Sequence, residues 1–230
     1  MRAQIPIVCV ATRAPGTGRL AVVSIDTMAS GSLAADLLGR FLQGAGKVAV
    51  TLSDLAIVEH AERSIRSRAR SIRFIPASSW RHPSRTMISS PRLTRSVAGC
   101  FGSGRIWGEF YVITEASIPV LNAARDAGML DKLTVITTDL FPALVEEIRS
   151  GSVAATIYQR PRTQGVMAFR VLHEFLVEGE CPSSQVTLAP PLATRGNLDF
   201  FLQRQSFENT QIKDVGIEHS SAEVGGYSVW

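Results

Sequence analysis

The sequence predicts an α/β fold, a parallel sheet with flanking helices, and two observations carry that prediction. Between Leu133 and Leu176 the apolar residues alternate in the order strand, helix, strand, helix. Each of the two strands is followed by a polar residue, Asp139 after the first and Gln159 after the second. Because ligands of open α/β sheets bind beyond the carboxyl ends of the strands, both side chains are candidates for contacting a polar solute.

The first part of the chain alternates in a similar way. Residues 5–10 and 20–25 are strand-like, and apolar spacing predicts a helix over about 29–43. A strand follows at 47–51, and a further helix begins near Ala56. These elements add strands and covering helices to the same fold class.

Two further elements precede the pair of strands described first. GEFYVIT, at 108–114, is predicted as a strand, and 117–129 as a helix with Pro119 near its start. Past Gln205 the periodicity is lost, so 205–230 is predicted to be a loose tail that follows a single domain over 1–204.

The first helix of the central stretch has a complete set of local signals. Pro142 suits a first-turn position, and Gly151 suits a left-handed cap at the end. Its apolar stripe, at i, i+3, i+4 and i+7, comprises Phe141, Leu144, Val145 and Ile148. The strand on each side of such a helix is expected to run parallel to the other.

The second helix of the central stretch repeats this apolar spacing. Arg170 and Glu174 lie off the stripe. The stripe itself comprises Ala168, Val171, Leu172, Phe175 and Leu176. This pattern predicts a second helix with one apolar face.

Composition indicates a globular protein with a substantial core. The chain has 230 residues, of which 45% are hydrophobic, and no apolar run reaches the roughly 20 residues that a membrane span needs. The apolar run near the start is too short for a secretory signal, so we expect a cytoplasmic protein without membrane contact. The three cysteines show no CxxC spacing, which argues against a disulfide framework and a zinc site.

The positive charge is concentrated in one segment. Residues 63–108, which we call the Arg-rich block, contain ten Arg and no Lys, Asp or Glu. The remaining chain has 14 Lys and Arg against 20 Asp and Glu, a net charge of −6. Three interpretations stay open: an arm that grips phosphates, a solvated basic surface, or a G·C-rich coding stretch read out of frame.

Enzyme signatures are weak throughout the sequence. GTGR at 16–19 lacks the Gly-Lys-Ser/Thr ending of a phosphate loop, and no GxSxG elbow exists. The four histidines are scattered without an HExxH or an i, i+4 pairing. We therefore expect neither an enzyme nor a cofactor or metal site.

Three segments of the chain carry a resemblance to a known family. They are residues 5–42, GKVAVTLSDLAIVEHAER, and 110–202, in which TTDLFPALVEEIRSGSVAATIYQRPRTQG and LAPPLATRGNLDFFL are the most specific. These segments resemble the sugar-sensing core of the lactose-repressor and galactose-repressor (LacI/GalR) family of transcriptional regulators. That core shares its fold with type I periplasmic sugar-binding proteins.

The resemblance implies a two-lobed clamp for a small polar, sugar-like ligand. It implies a homodimer that contacts DNA through a separate helix-turn-helix module, which we expect to be absent from this chain. Asp139 matches the acidic residue after the penultimate strand, and Gln159 matches the amide at the hinge. Carboxylates and amides suit sugar hydroxyls, which both donate and accept hydrogen bonds. As alternatives, Asp139 caps the following helix and Gln159 satisfies backbone groups.

Other matched positions depart from the family pattern. Arg13 stands where the family has a carboxylate, and Ala61 stands where an arginine is expected. Thr114 and Glu115 are the nearest polar substitutes for an expected asparagine near Ala116. If each unmade hydrogen bond to a buried ligand group costs roughly 1–3 kcal/mol, ordinary sugar binding is in doubt.

The front of the chain also departs from the family pattern. Only four residues precede IPIVCVA, whereas the family places most of its first lobe ahead of that strand. We therefore expect mostly the C-terminal lobe plus part of the N-terminal lobe, in a truncated and decayed relative of a sugar-responsive repressor. A periplasmic solute-binding component of a sugar transporter is the alternative function.

Overall fold

The computed structural model describes residues 5–41, 48–51, 58–63, 108–113 and 117–203. The Arg-rich block beyond its first residue, the predicted ligand residues Thr114 and Glu115, and the predicted tail lie outside them, apart from Gly108. The strands are β1 Val8–Val10, β2 Ala21–Ile25, β3 Val48–Thr51, β4 Glu109–Val112, β5 Thr134–Thr138, β6 Ala155–Ile157, β7 Gln185–Leu188 and β8 Leu192–Ala193. The helices are α1 Thr27–Phe41, α2 over 58–63, α3 Ser117–Asp126, α4 Pro142–Ser150, α5 Pro161–His173 and α6 over 198–203.

The strands form two sheets. The first sheet has the order β1-β2-β7, with both pairs parallel. The second has the order β3-β4-β5-β6-β8, parallel except for the β6-β8 pair. The predicted α/β class with parallel sheets and flanking helices is confirmed, and so is the parallel pairing of β5 with β6 across α4.

The second sheet and α1 enclose an apolar core. Asp26 starts α1 because its Oδ1 accepts a hydrogen bond from the Ala29 amide at 2.8 Å, which satisfies a donor of the first turn. The buried members of the core are Ala34, Leu38, Val50, Tyr111, Ile113, Ile136 and Ile157. This packing assigns α1 to the second sheet, although β2 just before it belongs to the first.

The local signals of α4 are confirmed. Pro142 lies in the first turn, and Leu144, Val145 and Ile148 are buried. Gly151 ends the helix in the left-handed conformation with φ of 89°, and its amide donates to the Ile148 carbonyl. The predicted stripe is therefore correct for its three inner members.

The prediction for the end of α5 is partly wrong. Ala168 and Val171 are buried, and the helix packs on β1 and β2 of the first sheet. Leu176, however, is 63% exposed, because the helix widens into a π-type turn over Glu174–Glu178. A wider turn shifts the angular position of the following side chains, so the α-helical spacing no longer predicts which face they occupy.

In the part of the chain that the structure describes, three short connections cross between the sheets. The first is Asp26, between β2 and α1; the others are residues 158–160, between β6 and α5, and 189–191, between β7 and β8. Backbone hydrogen bonds tie these connections to the strands and loops beside them. The Asp26 amide donates to the Leu188 carbonyl at 2.9 Å, and the Tyr158 amide donates to the Pro191 carbonyl at 3.0 Å.

The chain divides into two compact units, Met1–Arg195 and Gly196–Trp230. Both sheets lie in the first unit, and α6 lies in the second. Within the described part of the chain, no helix combines the length and apolarity that a membrane span requires.

Candidate functional site

The two polar residues predicted at the strand ends lie side by side. Asp139 directly follows β5, Gln159 follows β6, and the Gln159 Nε2 donates to the Asp139 Oδ1 at 2.7 Å. The N-cap residue of α4 is Phe141, which makes no side-chain cap hydrogen bond. The Gln159 side chain bonds to other side chains, while its carbonyl accepts from Gln164 Nε2 at 2.6 Å.

The backbone at Asp139 has an uncommon conformation. Its φ is 76°, in the left-handed region, and its amide donates to the Ile157 carbonyl at 3.0 Å. The Thr156 hydroxyl donates to the Asp139 carbonyl. Asp and Asn tolerate this conformation better than most residues. The two bonds fix the backbone of Asp139, and so fix the position from which its carboxylate extends at the carboxyl end of β5.

Sequence reasoning missed a third member of this site, Arg63. From the sequence, Arg63 is grouped with the Arg-rich block, and Ala61 stands where the family arginine is expected. In the structure α2 carries both residues, and the Arg63 Nη2 donates to the Gln159 Oε1. Arg63 is only 4% exposed, and its Nε has no hydrogen-bond partner among the described residues. The i, i+4 spacing of Glu59 and Arg63 was the available signal that both lie on one helix face.

Arg63, Gln159 and Asp139 therefore form one hydrogen-bonded chain, which we call the polar triad. Tyr111 of β4 lies beneath it, fully buried, with a hydroxyl that has no partner among the described residues. Burial raises the pKa of Tyr111 well above its ordinary value; the Arg63 charge lowers it, and the Asp139 charge raises it. The phenol consequently stays protonated and can serve as a donor.

We expect Tyr111→Phe to raise the free energy of unfolding near pH 7 by about 1 kcal/mol, because a buried hydroxyl without a partner destabilises the folded state. The raised pKa also predicts how stability changes at high pH. The part of the folding free energy that depends on a protonated phenol is fully present below the ordinary pKa near 10, and it is lost as pH rises above that value. Urea midpoints from pH 7 to 11 test both effects. Tyr158→Phe is the matched control, and identical alkaline profiles for wild type and Tyr111→Phe would contradict the prediction.

Arg13, predicted as a ligand contact, bonds to two carboxylates. Its backbone amide donates to Glu59 Oε1 at 2.9 Å, and its Nε lies 3.4 Å from the same oxygen. Its Nη2 donates to Glu62 Oε2, which also accepts from the Thr27 hydroxyl. Neither glutamate was singled out from the sequence.

The described residues contain no group of three or more His, Cys, Asp or Glu side chains that could hold a metal ion. In the polar triad the Gln159 amide bonds to the Arg63 guanidinium through its oxygen and to the Asp139 carboxylate through its nitrogen. This set can accept from and donate to several hydroxyl groups at once, which is the requirement for holding a polyol.

No protein-family model matches this chain, and comparison with curated proteins finds no match either.

Solved structures, in contrast, share the fold. The periplasmic binding protein of the arabinose ABC transporter from Shewanella sp. ANA-3, bound to α- and β-L-arabinofuranose, is 16% identical with a TM-score of 0.76, over 95% of this chain and 73% of that one. GanP, a glucose-galactose binding protein from Geobacillus stearothermophilus, is 20% identical with a TM-score of 0.71, over 84% and 69%. An ABC transporter solute-binding protein from Agrobacterium vitis with bound allitol is 14% identical with a TM-score of 0.68, over 87% and 70%. This chain therefore has the fold of periplasmic sugar-binding proteins.

Proposed function

We propose that this chain binds a small neutral sugar or polyol, and that the polar triad contacts its hydroxyl groups. The observation that carries the proposal is the hydrogen-bonded chain from Arg63 through Gln159 to Asp139. Two of these residues follow neighbouring parallel strands at their carboxyl ends, where α/β sheets bind ligands. The fold that the chain shares with solved sugar-binding proteins supports the same ligand class.

The chemistry of the triad fits such a ligand. The Asp139 carboxylate accepts from hydroxyl groups, the Arg63 guanidinium donates to them, and Gln159 can do both. Bonds to charged groups are stronger than neutral ones, and a site built from them rejects ligands that leave them unpaired. The buried Arg63 Nε, which lacks a partner among the described residues, provides a donor for the ligand.

We propose a transporter-type solute-binding protein as the leading biological role. The solved structures that match in fold include solute-binding components of ABC transporters, and that role entails a periplasmic location. A sensor domain of a LacI-type regulator is the second candidate. The TTDLFPALVEEIRSG segment favours it, and it entails a cytoplasmic homodimer that contacts DNA through a separate module.

A panel of arabinose, glucose, galactose and allitol tests the proposed function by thermal shift and calorimetry. At a hundredfold excess over Kd, a true ligand stabilises the folded state by about 2.7 kcal/mol. We expect Asp139→Asn, which preserves the left-handed backbone, to weaken binding of that ligand by about tenfold or more, because a bond to a charged group is lost.

Asp131→Asn is the matched control, because Asp131 lies exposed in the short 3-10 turn Leu130–Lys132, away from the triad. It should bind the same sugar as the wild type does. The proposal fails if no member of the panel binds at millimolar concentration. Equal affinity for wild type and Asp139→Asn would leave sugar binding intact and remove the triad from it.

A further inference from the structure

The first unit has two halves, each built around one of the two sheets. We infer that Arg13 holds these halves together in the absence of any ligand, and we call this contact the latch. The latch consists of Arg13, which follows β1 of the first sheet, and of Glu59 and Glu62 on α2. In this role the protein's own guanidinium joins the two halves as a bound ligand would; we call the space between the halves the cleft.

The segment that carries Arg13 is fixed to the first sheet. The Ala11 amide donates to the Val23 carbonyl of β2 at 2.9 Å, and the Thr12 amide donates to the Val10 carbonyl at 2.7 Å. Ala11 and Ala14, on either side of Arg13, both have positive φ, at 66° and 41°. Residues other than glycine adopt this conformation only where surrounding contacts enforce it, so the loop presents Arg13 in a defined direction.

The acidic partners are fixed to the second sheet's half. Glu62 accepts a hydrogen bond from Thr27, the first residue of α1, which packs on β5. Four residues after Glu59, on the same helix, Arg63 donates to Gln159, in the connection that follows β6. The Glu62 carboxylate is therefore tied to the second sheet's half through α1, while the Arg13 guanidinium is held by the first.

Burial distinguishes the contact of Arg13 with Glu59 from an ordinary surface ion pair. Glu59 is 4% exposed, and its Oε2 has no partner among the described residues. The other oxygen, Oε1, accepts from both the backbone amide and the Nε of Arg13, so this charge is paired where little water reaches it. Exposed pairs such as Arg149 with Glu146, within α4, contribute little and span no boundary.

Hydrogen exchange of the full chain without added sugar tests the latch. We expect Arg13→Gln to raise exchange about tenfold in peptides covering 8–19 and 58–63 together, since about 1.4 kcal/mol of closing free energy corresponds to a factor of ten. Peptides of β5 should keep wild-type protection, which separates opening of the cleft from unfolding. The wild type in 1 M NaCl should shift in the same direction, because salt weakens the partly exposed pair.

Arg149→Gln is the matched control and should leave both peptides unchanged. Glu62→Gln is the second variant in case Arg13→Gln does not fold, and it should raise exchange in the same two segments. The double variant should exchange no faster than Arg13→Gln alone, because Arg13→Gln already removes the contact with Glu62. Wild-type exchange in Arg13→Gln, or an effect confined to 8–19, would overturn the latch. No sugar enters the measurement, so a failed sugar panel does not decide it.

Discussion

Ile136→Ala is expected to lower the free energy of unfolding by about 2–5 kcal/mol, a large part of the roughly 5–15 kcal/mol that stabilises a typical domain. Ile136 is fully buried in β5, the middle strand of the second sheet, where it pairs with Tyr111 on one side and Ala155 on the other. The shortened side chain leaves a cavity in the core that α1 covers, and surrounding groups fill such cavities only in part.

Urea denaturation followed by circular dichroism measures this effect. Ile5→Ala is the matched control because it removes the same atoms from a side chain that is 71% exposed, and it should change the unfolding free energy by less than about 1 kcal/mol. Similar losses for both variants would contradict the described core. A loss of less than 1 kcal/mol for Ile136→Ala would do the same.

Arg63→Met is expected to weaken sugar binding by about 100-fold, the second of the large effects. The substitution removes the guanidinium that donates to Gln159 Oε1, and so releases the amide that bonds to Asp139. Two contacts to the ligand are affected, each worth about 1–3 kcal/mol when left unmade. The unfolding free energy should change by only about 1 kcal/mol, because removal of a buried charge offsets the lost bond.

Calorimetry with the sugar that binds best in the panel measures this loss. Arg63→Lys should not restore affinity, because a single ammonium cannot reproduce the planar set of donors. Arg149→Met, at an exposed position of α4, should bind as the wild type does. Binding retained within threefold in Arg63→Met would remove this residue from the site.

Local chemistry explains what could be predicted from the sequence. Pro142, Gly151 and the apolar spacing between them define α4 without reference to the rest of the chain. The positions of Asp139 and Gln159 followed from the rule for strand ends, and the structure places them in hydrogen-bonding contact. Their role in ligand binding stays a prediction. Leu176 was mispredicted because a π-type turn leaves no mark on the spacing of apolar residues.

The rest depends on contacts between distant segments. Arg63 reaches Gln159 across 96 positions, and the sequence around it gives no sign of where α2 docks. Because Arg63 begins a run of arginines, composition alone grouped it with its neighbours. The same holds for β7, a short strand that pairs with β2 from the far end of the chain. The glutamates that meet Arg13 were overlooked because charged residues on a short helix usually face solvent.

The three connections between the sheets have a consequence for how strong any contact across them must be. The short connections among the described residues keep each half near the other at an effective concentration of millimolar order or higher. Contact between the halves is therefore unimolecular and needs little binding energy. An interaction too feeble to join two separate molecules can then shift the balance of conformers severalfold. Single charge substitutions where the two halves face each other should accordingly change ligand affinity by small factors, because they change the fraction of molecules that are already competent to bind.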